Sequence, residues 1–227
     1  MPKRPISQTE YNDLLGNANT VREAYRTAQE NRRFEIELYW KRAAYFWTFI
    51  GATFAGYFAV QTTSASNRGD LSVVLACLGV VFSFGWFSVN RGSKKWQENW
   101  EKHVDLLEDL VTGPLYKVVL TRNDEKNLGD HVNDFFTGPA SVSVSKVNQL
   151  ISLFVTLIWC FLLWYALPPF RFGERLHWPY VIVVGFCVLA CVSFWTIGRS
   201  FKGGFWHTGT IRTSRIPTGE ERNGGTE

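Results

Sequence analysis

The stretch from Trp40 to Gln61 limits what this chain can fold into more than any other: after Lys41 and Arg42 come eighteen residues, Ala43 to Val60, without one formal charge. At about 1.5 Å per helical residue, that run approaches the ~30 Å hydrocarbon thickness of a bilayer. It is predicted to be a transmembrane helix. Basic residues stand at one end, the uncharged Gln61-Thr62-Thr63-Ser64 at the other, and Trp40 and Trp47 sit where an aromatic belt lies. Three further windows, Leu71–Val89, Leu150–Leu167 and Trp178–Gly198, also lack Asp, Glu, Lys, Arg and His. Four such runs exclude an ordinary soluble globule, although the mean hydropathy of −0.08 averages them away.

The distribution of Lys and Arg orients the spans. Eight fall in residues 1–42, eight in 90–149 and five in 199–227, against one in 61–70 and two in 168–177. Positive charge is retained on the cytoplasmic side, so both termini and the central segment are expected there. The fold class is therefore an all-α membrane protein: four transmembrane helices, N-in/C-in, with cytoplasmic helical extensions. Its parts are N-terminal amphipathic helices (1–42), a first transmembrane hairpin (43–89), a cytoplasmic helical lobe (90–149), a second hairpin (150–198) and a cytoplasmic tail (199–227). The polar first forty residues predict no signal peptide. Cys77, Cys160, Cys187 and Cys191 all fall within the spans, where they read as packing residues rather than as a disulfide or zinc framework.

Ser7-Gln8-Thr9-Glu10 has the form of a capping box and should open a helix. Tyr11, Leu14, Ala18, Val21, Tyr25 and Ala28 then form one apolar seam on that helix. Phe34 to Trp40 reads as a second amphipathic piece, lying on the membrane surface or running into the first span. Thr48, Ala52 and Gly56 recur every four residues and make a flat face suited to helix packing. The second span is expected to end at Asn90-Arg91-Gly92-Ser93. A soluble helix follows with Trp96, Trp100, His103, Leu107 and Leu110 as a heptad seam, long enough to pack on the N-terminal one and stopped by Gly113-Pro114. Pro114 to Leu120 fits a strand or a short helix, Thr121 to Asp130 a loop. Ser145 is the expected cap of the third span.

Chemistry is sparse. No nucleophile elbow, phosphate loop or zinc-protease motif is present, so no enzyme activity, metal or cofactor is expected. The spans carry no ionisable group of the kind that marks ion-coupled transporters. In the third span, however, Asn148, Ser152 and Thr156 form a mildly polar strip that either lines a pore between copies or makes interhelical hydrogen bonds. Arg22, Arg26, Arg32 and Arg33 form a candidate ligand-binding surface for a nucleotide or single-stranded nucleic acid, with lipid headgroups and i,i+4 pairing as the alternative. Trp96, Trp100, Leu107 and Leu110 form the candidate oligomer or partner seam.

The residues Glu37-Leu38-Tyr39-Trp40-Lys41-Arg42-Ala43-Ala44-Tyr45-Phe46-Trp47 resemble the start of the RipA-type octameric membrane proteins of bacteria, a similarity covering about residues 35 to 200. The resemblance implies a bacterial inner-membrane homo-oligomer, tetramer to octamer, and leaves its activity open. The layout is also similar to the membrane channel effector of Hailong-type anti-phage defence. Two functions follow as expectations: a gated ion channel or membrane-disrupting effector controlled by a nucleotide or nucleic-acid signal, or a nonconducting scaffold recruiting a cytoplasmic protein partner.

Overall fold

The computed structural model describes residues 6–120, 136–169 and 177–199. The loop expected over Thr121–Asp130 and the tail beyond Arg199 lie outside the described residues. The helices lying wholly within the described residues are α1 (Gln8–Leu15), α2 (Ala18–Gln61), α3 (Arg68–Val111), α4 (Val144–Ala166) and α5 (Trp178–Thr196). Four of them, α2 to α5, are long and apolar enough to cross a membrane.

The start expected at Ser7 is present, its hydroxyl accepting from the Glu10 backbone N–H at 3.1 Å. The helix does not continue to Ala28, however. Gly16 takes φ +76° and ends α1, and Asn17 begins a new helix by accepting from the N–H groups of Asn19 and Thr20. A left-handed residue followed by an asparagine cap is a stop and a restart that apolar spacing alone cannot register. Leu14 is exposed as a result, and Leu15 takes its place in the contact.

From Asn17 onward α2 is one unbroken helix of 44 residues, about 66 Å long. The segment Phe34–Trp40 is continuous with the span rather than a separate surface piece. The helix that carries the second span likewise does not stop at Asn90-Arg91-Gly92-Ser93: α3 carries straight on to Val111, also 44 residues. Neither junction contains proline, and the charged residues there form pairs compatible with helix, Lys94 with Glu98 and Glu101. At the other end the α2–α3 turn is tied by Arg68 Nη2 donating to Gln61 Oε1 (2.7 Å) and Gln61 Nε2 donating to Ser72 Oγ (3.0 Å).

Two cores result. In the polar lobe Val21, Tyr25 and Ala28 of α2 close on Val104 and Leu107 of α3, edged by Tyr11, Leu15, Trp100 and Val111. Among the spans Tyr57, Val73, Ala76, Cys77, Val80, Trp159 and Cys187 form the second, with α3 packed against α2, α4 and α5. Tyr180 Oη donates to Asp70 Oδ1 at 2.6 Å and ties the start of α5 to the start of α3.

Residues 114–120 are neither strand nor helix. Gly113, at φ +75°, turns the chain out of α3. The fully buried Glu108 carboxylate then accepts from the N–H groups of Tyr116 (2.6 Å) and Lys117 (3.1 Å), holding the turn in place of a ladder. The Lys117 ammonium pairs with Asp109, which raises its pKa above the ordinary 10.5. Ser143, not Ser145, caps α4 by accepting from the Lys146 N–H.

Candidate functional site

The site grows out of a repeat on α3. Ser72, Ala76, Gly79, Ser83, Trp86, Asn90 and Ser93 are all buried and recur at steps of four and three, a heptad of mostly small or polar side chains inside an apolar span. Small residues let backbones approach closely when there is no hydrophobic gain in leaving lipid. At Gly79 the approach is complete: a Cβ there would lie 2.0 to 2.4 Å from three ring atoms of Trp159. That indole is wholly buried, stacked on Phe54 (centroids 4.2 Å apart) and edge-on to Tyr57 (5.8 Å).

The α4 face aligned by this contact is Asn148, Ser152, Thr156 and Trp159, four buried residues in sequence. The strip expected from the sequence is therefore enclosed within one copy, facing α3. Asn90 Nδ2 reaches Ser152 Oγ across the seam at 3.5 Å. The hydroxyls donate along their own helices: Ser83 to Gly79 O (2.7 Å), Ser152 to Gln149 O (2.9 Å) and Thr156 to Ser152 O (2.7 Å). Their protons are thereby satisfied and the oxygen lone pairs remain as acceptors in the seam.

Towards the polar lobe α2 joins the seam. Arg42 Nη1 donates to Ser93 Oγ at 2.8 Å and lies 3.6 Å from Glu35 Oε2. Tyr39 is buried with its hydroxyl beside the Asn148 amide. Here hydrogen bonding is loose: Tyr39 Oη and Asn148 Nδ2 have only each other at the limit of hydrogen-bond reach, and Trp86 Nε1 and, deeper in, Trp159 Nε1 are buried without a partner among the described residues. Such atoms ordinarily find a partner or water, and leaving one unmet costs about 1–3 kcal/mol. Sequence reasoning missed Tyr39, Arg42, Trp86 and Asn90 as members of this group. The heptad of small and polar residues through the second span was the signal that could have found them.

The other candidate residues are distributed differently. Arg22, Arg26 and Arg33 share an exposed face of α2, where Arg26 pairs with Glu30 (3.1 Å) and Arg33 with Glu37 (3.6 Å). Arg32 points elsewhere, 3.9 Å from Glu101 and with its guanidinium 5.5 Å from the centre of the Tyr116 ring. The structure thus brings three of the four arginines to one side. Of the heptad seam, Trp100 and Leu107 face α2 within the same chain, Trp96 is half-buried and Leu110 is exposed. The contact follows Trp100, Val104, Leu107 and Val111, because the phase through His103 and Leu110 turns to the edge. There His103 Nδ1 meets Tyr11 Oη at 2.7 Å.

Residues 22–168 match the model of the octameric membrane protein family (8xMP). The chain belongs to this family. The matched region begins in the exposed arginine face of α2 and ends just beyond α4, so the whole α3–α4 seam lies within it. With four helices of spanning length, this 8xMP member is a multi-pass, oligomeric membrane protein. No curated protein and no solved structure matches the chain.

Proposed function

We propose that this 8xMP protein is a homo-octameric gated ion channel or membrane-disrupting effector of the bacterial inner membrane, held closed in the conformation described. The supporting observation is the α3–α4 seam, a polar track through apolar helices whose buried donors are poorly satisfied among the described residues at the end nearest the polar lobe. Water entering between α3 and α4 supplies those partners and exposes the lone pairs of Ser83, Ser152 and Thr156. Asn148, Ser152 and Thr156 line the open path. Oxygen acceptors without a fixed charge suit a dehydrated cation.

Control comes from the lobe. The 21 positive charges in the two terminal segments and the middle segment support a cytoplasmic lobe. Because α2 and α3 pass from lobe to membrane without a break, displacement at Val21 or Val104 is carried into the spans by rigid rods. Arg22, with Arg26 and Arg33 at the borders between copies of a ring, offers phosphates of a nucleotide or single-stranded nucleic acid a place to act on the joints of the assembly. The similarity of layout to the anti-phage effector supports a defence role. Potassium release from liposomes containing the purified protein tests the reading: release that rises on adding nucleotide or oligonucleotide supports it. Liposomes that stay tight under every such addition refute it.

The scaffold reading is less well supported. Trp100 and Leu107 are already used within the chain, which leaves Leu110 as the exposed member of the supposed partner seam.

A further inference from the structure

We propose that the uncovered face of α2 is the surface on which a neighbouring copy of this chain packs. Ala44, Thr48, Gly51, Ala55 and Ala59 are all exposed in the single chain. Towards the lobe the line continues through Arg26, Glu30, Arg33, Glu37 and Lys41, also exposed. At about 100° per residue these positions stay within a sector of about 80°, so they form one face along most of the helix.

The two halves of this face differ in chemistry, and both suit a protein neighbour better than lipid or water. In the membrane half it is small, which allows a second backbone to approach closely. The outward faces of the other two peripheral spans are bulky: Leu150, Phe154 and Leu157 on α4, and Ile182, Phe186 and Leu189 on α5. Those side chains fit lipid; on α2 the exposed aromatics Tyr45, Trp47 and Phe58 stand beside the small strip and leave it as a groove between them. In the lobe half, arginine and glutamate alternate, so one copy presents partners of both signs to the next. The existing pairs Arg26–Glu30 and Arg33–Glu37 are exposed and free to be shared across a contact.

The strip from Arg26 to Ala59, about 50 Å long and about 10 Å wide, offers roughly 500 Å², the larger part of the ~800 Å² that each partner of a stable interface contributes. Membership in an octameric family supplies the occupant, since every copy must bury some surface against its neighbours. This assignment does not depend on whether the protein conducts.

The test uses the full-length protein purified in detergent. Native mass measurement should show Gly51→Trp and Ala55→Trp reduced from the octamer to smaller species that keep their helical circular dichroism, while Leu157→Trp and Leu189→Trp remain octameric. An octamer indifferent to the α2 tryptophans, or broken by the α4 and α5 ones instead, overturns the assignment. Labelling provides a second readout that tolerates any weakening of the fold. In the assembled protein Glu30→Cys and Glu37→Cys should react with a water-soluble maleimide about tenfold more slowly than the exposed Asp105→Cys, a difference equivalent to 1.4 kcal/mol. Equal rates at all three positions, as a water-filled lumen along this face would give, also overturn it.

Discussion

At Gly79 a single missing methyl group decides whether α4 can lie against α3. The nearest Trp159 ring atom sits 2.0 Å from where a Cβ would be, and the indole is hemmed in by Phe54 and Tyr57. It therefore has nowhere to swing. Gly79→Ala is expected to cost about 1–3 kcal/mol by overpacking, seen as a lowered unfolding midpoint in detergent; an unchanged midpoint would show that the seam is looser than described. Glu108 has a comparable role in the lobe, since its buried carboxylate is the acceptor for two backbone N–H groups. Glu108→Ala leaves both orphaned, a loss of about 2–3 kcal/mol. Hydrogen exchange at Tyr116 and Lys117 should accelerate accordingly, with Glu108→Gln intermediate because its amide oxygen can still accept.

Between residues and the whole chain, helix continuity matters most. The charge-free windows mark segments apolar enough to cross lipid, because hydration of charge dominates that decision, and all four fall on helices save for the last residue of the third and the last two of the fourth. They say nothing about whether a helix stops at the boundary, and here neither α2 nor α3 does. Where the sequence misleads, a short-range cap or a side chain from a distant element wins. Gly16 and Asn17 divide the N-terminal seam, Ser143 displaces Ser145, and Glu108 shapes a segment that looked like a strand or a helix. The polar strip of α4 was readable from spacing four, but its partner was not, since that depends on the phase of α3. Docking of α1 provides an element-scale test. Burial raises the Tyr11 hydroxyl above its ordinary pKa of 10, so the folded arm holds this proton more tightly than the unfolded chain. Its contribution is complete below pH 10 and is lost as pH climbs through the raised value. Proteolytic cleavage between Gln8 and Leu15 should therefore speed up above about pH 10. Tyr11→Phe, which removes the bond to His103, should give faster cleavage already at neutral pH, a loss of about 1 kcal/mol.

For the whole molecule, the structure describes a subunit whose polar interior is sealed and whose α2 face is bare. Membership in the octameric family supplies the neighbouring copies; on the readings proposed above, the bare face takes one of them and the sealed seam opens as a regulated path. The two can fail separately, because a protein that assembles through α2 need not conduct. Conduction through the seam is the central claim, and single-channel recording of the purified octamer in planar bilayers tests it most directly. The account predicts discrete currents that Asn148→Leu lowers about tenfold, equivalent to a barrier raised by 1.4 kcal/mol, while the octamer remains intact. Silence with and without nucleotide or oligonucleotide, or currents that Asn148→Leu and Ser152→Ala leave unaltered, would contradict it.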